Sequence, residues 1–176
     1  MLLDRYFLPD LYLPDIYRIT PEMLREKGIR ALIMDIDNTL VTYDDPEPTP
    51  RVFDWLCEMQ KNSIRIALVS NNSSEERVRQ FNRQLGFFAA AKSKKPLLGT
   101  MKKALSHLQT SSDETAVVGD QIFTDIFAGK RMGMYSILVK PIRDKTSLFF
   151  RTKRKLESPI LRRYEKKGHH ASLPPA

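Results

Sequence analysis

Cysteine is almost absent from this chain: its 176 residues include one, Cys57. A single thiol cannot close an internal disulfide or build a cysteine metal cluster, and it fits a reducing compartment. Cys57 lies in the helical pattern WLCEMQ, where it reads as a small core residue and not as a nucleophile. Long apolar runs are missing too; none approaches the roughly 18 residues that a membrane-crossing helix needs. The first segment, MLLDRYFLPDLYLPDIY, is apolar, but Asp4, Asp10, Asp15, Pro9 and Pro14 break any signal-peptide core. These absences lead us to expect a protein made and kept in the cytoplasm. Histidine is scarce, and His107, His169 and His170 have no metal-ligand spacing. No internal repeat is visible.

What is present is an ordinary globular mixture, 41% hydrophobic and 28% charged, long enough for one domain with a real core. The net charge of +8 is uneven. Residues 143–176 hold ten Lys/Arg against three Asp/Glu, a net of +7, while residues 1–142 are close to neutral at +1. The reading is a domain over 1–142, including the N-terminal apolar segment, and a basic appendage over 143–176. The appendage ends in GHHASLPPA, expected to be disordered. A basic appendage usually meets an anionic partner, a membrane surface or nucleic acid.

Apolar runs predict five strands, at 31–36, 65–70, about 87–91, 115–119 and 135–139. Helical patterns alternate with them. Val52, Phe53, Leu56 and Met59 share a face over 50–62, and Trp55 belongs to the core. Ser73 and Glu76 suggest a capping box for a helix with a Val78, Phe81 and Leu85 stripe that Gly86 can end. Leu97, Met101, Ala104, Leu105 and Leu108 share a face over 97–108, and a shorter helix fits 123–131. TPEMLREKG, from Thr20 to Gly28, has a cap, a first-turn proline and a terminator. Alternation with continuous apolar strands predicts an α/β fold, a doubly wound parallel sheet covered on both faces. Ligands of such sheets bind beyond the carboxyl ends of the strands.

Those ends are where polar residues gather. The first strand runs into Asp35, Asp37 and Thr39; the second into Ser70, Asn71 and Asn72; the fourth into Gly119 and Asp120, with Asp125 close behind. KSKKP follows the third strand and brings Lys92, Lys94 and Lys95. Burying carboxylates is costly unless a cation offsets them. Asp35, Asp120 and Asp125 supply oxygen ligands alone, which suits Mg²⁺. A hydroxyl, backbone N–H groups and a lysine suit phosphate oxygens. Two carboxylates at i and i+2 project to one side, so one can attack phosphorus and the other can move the proton. Taken singly, each motif also has a plain reading as a turn, a cap or a solvated loop.

In order, DIDNTL, SNN, KKP and GDQIFTD resemble the haloacid dehalogenase-like (HAD) hydrolase superfamily over residues 30–142. GDQIFTD followed by GKRMGMYSILVKPI is similar to subfamily IIIA and its YqeG type, a group similar to mitochondrial phosphatidylglycerophosphate phosphatases. The resemblance implies a Rossmannoid phosphatase with Asp35 as nucleophile and metal ligand. It implies Asp37 as general acid/base with its carbonyl on Mg²⁺, and Ser70, Asn71 and Lys95 on the phosphoryl group. Asp120 and Asp125 complete the implied metal site.

Many members of the superfamily carry a cap domain that closes over a small substrate. Here the intervals 40–64 and 72–94 are each too short for a domain of more than about 40 residues. The site is expected to be capless and open, edged by the flap VTYDDPEPTP. The tail mixes Leu148, Phe149, Phe150, Leu156, Ile160 and Leu161 with basic residues, as do segments that bind anionic bilayers. The expected substrate is therefore a large or lipid phosphomonoester, phosphatidylglycerophosphate preferred, with peripheral contact to anionic phospholipid on the inner membrane face. The rival substrates are soluble, a nucleotide or a sugar phosphate. A rival of another class is an RNA- or ribosome-associated protein; the tail holds Tyr164 and basic residues but no recognisable RNA motif, which disfavours nucleic acid.

Overall fold

Six strands, all paired in parallel, form one sheet: β1 (Leu11–Leu13), β2 (Ala31–Met34), β3 (Arg65–Val69), β4 (Phe88–Ala90), β5 (Thr115–Gly119) and β6 (Tyr135–Val139). The computed structural model describes residues 2–143 and 148–166, with side chains described for 4–143 and 156–166. The expected disordered end at 168–176, and the side chains of Leu148, Phe149 and Phe150, lie outside the described residues.

The strand order is β1-β6-β5-β2-β3-β4. From β2 the chain winds outward through β3 and β4, then returns to the other flank of β2 as β5. The direction reverses between β2 and β5, and a crevice opens at such a point beyond the strand ends.

Both faces of the sheet are covered, so its central strands show no polar alternation. Leu32, Met34, Leu68 and Val118 face one layer, with Leu24 from α2 (Pro21–Glu26), Val52, Leu56 and Met59 from α3 (Pro50–Lys61), and Val78 and Phe81 from α4 (Glu75–Asn82). Their neighbours Ala31, Ile33, Ala67, Val69 and Val117 face Met101, Ala104 and Leu108 of α5 (Gly99–Leu108) and Ala128 of α6 (Phe127–Arg131). Gly129 fixes how near α6 comes to β5: a Cβ there would lie 2.1 Å from Val117 Cγ1. Trp55 is buried and donates Nε1–H to the Ile19 carbonyl at 3.1 Å, as a core tryptophan should.

Several expectations need correction. The sheet has six strands and not five. β1 escaped notice because three residues between Pro9 and Pro14 carry no pattern; its pairing with β6 makes it a strand. Asp10 fastens this edge, accepting from Ser136 N at 2.8 Å and Oγ at 2.7 Å, with Lys130 Nζ 2.7 Å from its other oxygen. The cap of α4 is Ser74, not Ser73: Ser74 Oγ accepts from Arg77 N at 3.2 Å. Leu97 is 60% exposed and precedes α5, because that helix begins at Gly99. The segment expected as a helix over 123–131 opens as a π-helical turn, Ile122–Ile126, before α6.

Two helices frame the β1 flank. α1 (Leu2–Phe7) stacks Phe7 on Phe127, with ring centroids 4.6 Å apart. α7 (Leu148–Lys166) rests Ile160 and Leu161 against a cluster of Ile122, Ile126 and Leu138. Tyr164 is buried, and its hydroxyl accepts from Tyr12 N at 3.0 Å. No helix among the described residues is long and apolar enough to cross a membrane.

Candidate active site

β2 delivers Asp35, whose N–H still donates to Val118 O of β5 at 3.0 Å, so the residue is held at the reversal point. The chain then folds tightly back on itself: Asp37 bridges to Val41, and Asn38 takes a left-handed φ of 67°. Asparagine tolerates that conformation better than most residues. β5 delivers Asp120, and the π-helical turn swings Asp125 back beneath it. Gly119 makes this possible, since a Cβ there would lie 2.4 Å from both Cβ and Cγ of Asp125. One carboxylate oxygen from each of Asp35, Asp120 and Asp125 lies within 4.8 Å of the others, and all three residues are buried.

Lys95 enters from the loop after β4. Its Nζ is 2.9 Å from Asp35 Oδ1 and 2.7 Å from Asp125 Oδ1, and it donates to Val69 O. Its two neighbours do not come near: Lys92 pairs with Glu75 at the surface at 2.8 Å, and Lys94 is exposed. Asn71 shapes this loop. Its Oδ1 accepts from Lys95 N and Ser93 Oγ, both at 2.7 Å, and its Nδ2 donates to Lys95 O at 3.0 Å. Ser70 is buried, with its Oγ accepting from Asn72 N at 3.0 Å.

Asp37 is the second buried carboxylate of its motif; of its two partners, Asn72 was placed at the strand end without a role and Arg77 was not singled out in the sequence. Asn72 Nδ2 donates to its Oδ2 at 2.8 Å, and Arg77 Nε donates to its Oδ1 at 2.8 Å. The same guanidinium reaches the flap, donating to Asp45 O at 2.7 Å and Thr42 O at 2.9 Å. Arg77 sits on the first turn of a polar helix, where an arginine ordinarily reads as a solvated residue; its one sequence signal is its distance behind SNN. Tyr43, on the flap, was also missed. Burial raises its phenol pKa well above the ordinary value, and the fields of Asp37, Asp35, Asp120 and Asp125 push the same way. Tyr43 is half-buried and near enough for its phenol to sense all four carboxylates.

The electrostatics are strained. Burial raises the Asp35 pKa from 3.8 to about 7; Lys95 opposes the shift, while Asp125 and Asp37 add to it. Burial disfavours the Lys95 ammonium, but Asp125 and Asp35 outweigh it and hold Lys95 charged. Asp35, Asp120 and Asp125 with one ammonium leave a net of −2 when all are ionised. Asp125 Oδ1 is buried with Lys95 Nζ 2.7 Å away, and no other donor among the described residues takes its remaining lone pair. Oxygen-only donors and a −2 deficit fit a hard divalent ion.

Among the described residues no cap domain rises over this cluster. The interval 40–64 is spent on the flap and α3, and 72–94 on α4 and β4.

A parallel sheet that reverses between β2 and β5, with paired aspartates after one strand and a lysine held against them, defines a phosphatase of the HAD fold, a phosphoric monoester hydrolase. A family model described as mitochondrial PGP phosphatase matches residues 1–142, and the chain belongs to that family. It is 38% identical to the probable phosphatase YqeG of Bacillus subtilis, over 96% of this chain and 97% of that protein. It is 28% identical to the chloroplastic/mitochondrial phosphatidylglycerophosphate phosphatase 1 of Arabidopsis thaliana, over 94% of this chain and 50% of that protein. Among solved structures, a HAD phosphatase from Thermococcus onnurineus superposes with a TM-score of 0.53 at 13% identity, covering 68% of this chain and 90% of that one. That likeness is one of fold.

Proposed function

We propose that the protein is a Mg²⁺-dependent phosphomonoesterase that works through an aspartyl-phosphate on a lipid phosphomonoester such as phosphatidylglycerophosphate. The observation that carries this reading is the buried set Asp35, Lys95, Asp120 and Asp125 at the sheet's reversal point, with no domain among the described residues folded over it. Asp35, Asp120 and Asp125 would hold the ion, joined by the Asp37 carbonyl. The ion, when bound, neutralises the carboxylates and draws charge from the phosphoryl oxygens.

The chain's own residues do the rest. An Asp35 carboxylate oxygen attacks phosphorus, the bond from phosphorus to the ester oxygen breaks, and that oxygen takes a proton from Asp37. Water then attacks the acyl phosphate and gives a proton back to Asp37; phosphate leaves and Asp35 is restored. Lys95 and the Ser70–Asn71 loop steady the phosphoryl oxygens, with the Asn71 side chain holding Lys95 in place. Both Asp37 oxygens carry donors in this structure, so proton exchange requires Asp37 to release one. Asn72 is the neutral partner and the one that lets go more readily.

The lipid reading is supported by the absent cap, by the 28% identity to a phosphatidylglycerophosphate phosphatase, and by a cleft of about 460 Å³ beside the flap. The cleft is mixed in character, lined by the exposed Ile142 together with Asp15, Thr42, Asp45, Thr49 and Lys140, and it gives room for the rest of a large ester. The deciding experiment measures phosphate release from phosphatidylglycerophosphate in mixed micelles and from soluble nucleotide and sugar phosphates, with and without Mg²⁺. We expect Mg²⁺-dependent release with the lipid far ahead. Preference for a soluble ester would overturn the lipid reading, and turnover in chelator would overturn the metal.

A further inference from the structure

The π-helical turn Ile122–Ile126 has two sides. One faces the site and carries Asp125. The other faces the chain's C-terminal helix, which lies beyond the 1–142 span of the family model. Three contacts join that outer side to α7. Glu157 is 3% exposed, and its Oε1 accepts the N–H of Ile122, the first residue of the turn, at 3.0 Å. Ile160 and Leu161 pack on Ile122 and Ile126, which are fully buried. Phe7 of α1 closes the same side, stacked on Phe127 with its ring 5.6 Å from Phe123.

A buried carboxylate is costly unless its oxygens are satisfied, and at Glu157 the Ile122 N–H satisfies Oε1. The first N–H groups of any helical segment lack intrahelical acceptors. At Ile122 the acceptor comes from a helix 35 positions away in the chain. On the inner side the turn has little slack. Asp125 Oδ2 accepts from Gln121 N at 3.2 Å and Thr124 Oγ1 at 3.3 Å, and its Cβ and Cγ press on Gly119. A shift of the turn's start therefore moves Gln121 N and the carboxylate it orients. π-Turns of this kind are rare, and they occur frequently at functional sites.

We propose that Glu157 is a positioning residue: by accepting the Ile122 N–H it fixes the turn that presents Asp125, so that docking of the C-terminal helix sets the affinity of the site for its divalent cation. The inference rests on the metal-site reading above. Partners one step removed from a ligand commonly change metal affinity on the order of tenfold or more when lost.

The test uses the full chain and Mn²⁺ as probe, with bound ion read by electron paramagnetic resonance in the absence of substrate. E157A is expected to weaken Mn²⁺ binding on the order of tenfold. E157Q keeps a carbonyl oxygen for the Ile122 N–H and is expected to bind within about threefold of the parent. Y164F removes the acceptor for Tyr12 N, at the far end of the docked segment, and is expected to lower the melting temperature while leaving Mn²⁺ affinity unchanged. If E157A does not fold, E157D, whose shorter reach draws the turn outward, is expected to weaken binding severalfold. Parent-like affinity in E157A, or in E157D where that stands in, overturns the proposal, as does equal loss in Y164F or in E157Q. If the parent itself binds no Mn²⁺ at Asp35, Asp120 and Asp125, the metal-site reading fails instead.

Discussion

At the scale of single residues, the site trades stability for chemistry. Asp35 is buried beside two other carboxylates, and burial first, then Asp125 and Asp37, raise its pKa to about 7. An Asp in the unfolded chain titrates near 3.8. Between those values the folded protein keeps a proton that the unfolded chain has released. Stability from the protonated form is thus complete below about pH 4 and is lost as pH rises through about 7. The metal-free protein should show a falling melting temperature from pH 5 to pH 8. Mg²⁺ should reverse most of the fall, and D35N, which carries no charge there, should flatten it. D35N should also lose essentially all turnover, on the order of a thousandfold or more, since no other group can form the acyl phosphate. A parent-like pH slope in D35N would show that another group titrates. Gly119 offers a second residue-scale test. The Cβ of G119A would meet Asp125 at 2.4 Å, so the variant should lose about 1–3 kcal/mol of stability and most metal binding. Chemical denaturation with and without Mg²⁺ measures both.

At the scale of elements, the flap and α4 are tied by one side chain. Arg77 holds Asp37, Asp45 O and Thr42 O together, and Arg143 adds an ion pair to Asp44. One ammonium cannot span three acceptors in a plane, so R77K should lower kcat/KM on the order of a hundredfold while changing melting temperature little. Parent-like kcat/KM in R77K would mean that the flap orients itself. Arg77 also shows where legibility stops. Asp35, Asp120 and Lys95 could be placed from the sequence because each lies at the end of a strongly apolar strand or in the loop beyond it. The central strands β2, β3 and β5 were plain for the same reason: both faces are buried, so nothing interrupts their apolar runs. Arg77 and Asn72 gain their roles through side-chain contacts 40 and 35 residues away in the chain. β1 gains its role through pairing across more than a hundred positions, and three residues have no period to read. The cap of α4 moved by one residue because Ser73 and Ser74 are equally good capping types, and backbone geometry decides between them.

At the scale of the whole molecule, the described side chains of α7, 156–166, divide between the body and solvent. Ile160, Leu161 and Tyr164 of α7 turn toward the body, and Arg163 pairs with Asp4 at 3.3 Å. Outward the helix offers Leu156, which is 61% exposed, together with Arg162 and Lys166. Over 156–166, where side chains are described, Ile160 and Leu161 are partly buried against the body, so this part of α7 meets an anionic surface mainly through charge. Such contact is screened within about 10 Å at ordinary ionic strength and fades further in added salt. We therefore expect the full chain to float with vesicles rich in anionic phospholipid at low salt and to be released by about 0.5 M salt. Each basic group near such a surface contributes about 1 kcal/mol, so R162E/K166E should weaken binding on the order of thirtyfold or more. Neither residue touches the catalytic cluster, so hydrolysis of a soluble phosphate ester should not change in the double variant. Binding that survives high salt would mean that α7 leaves the body and inserts its apolar face. In that case vesicles should also weaken Mn²⁺ binding, because undocking the helix removes Glu157 from Ile122.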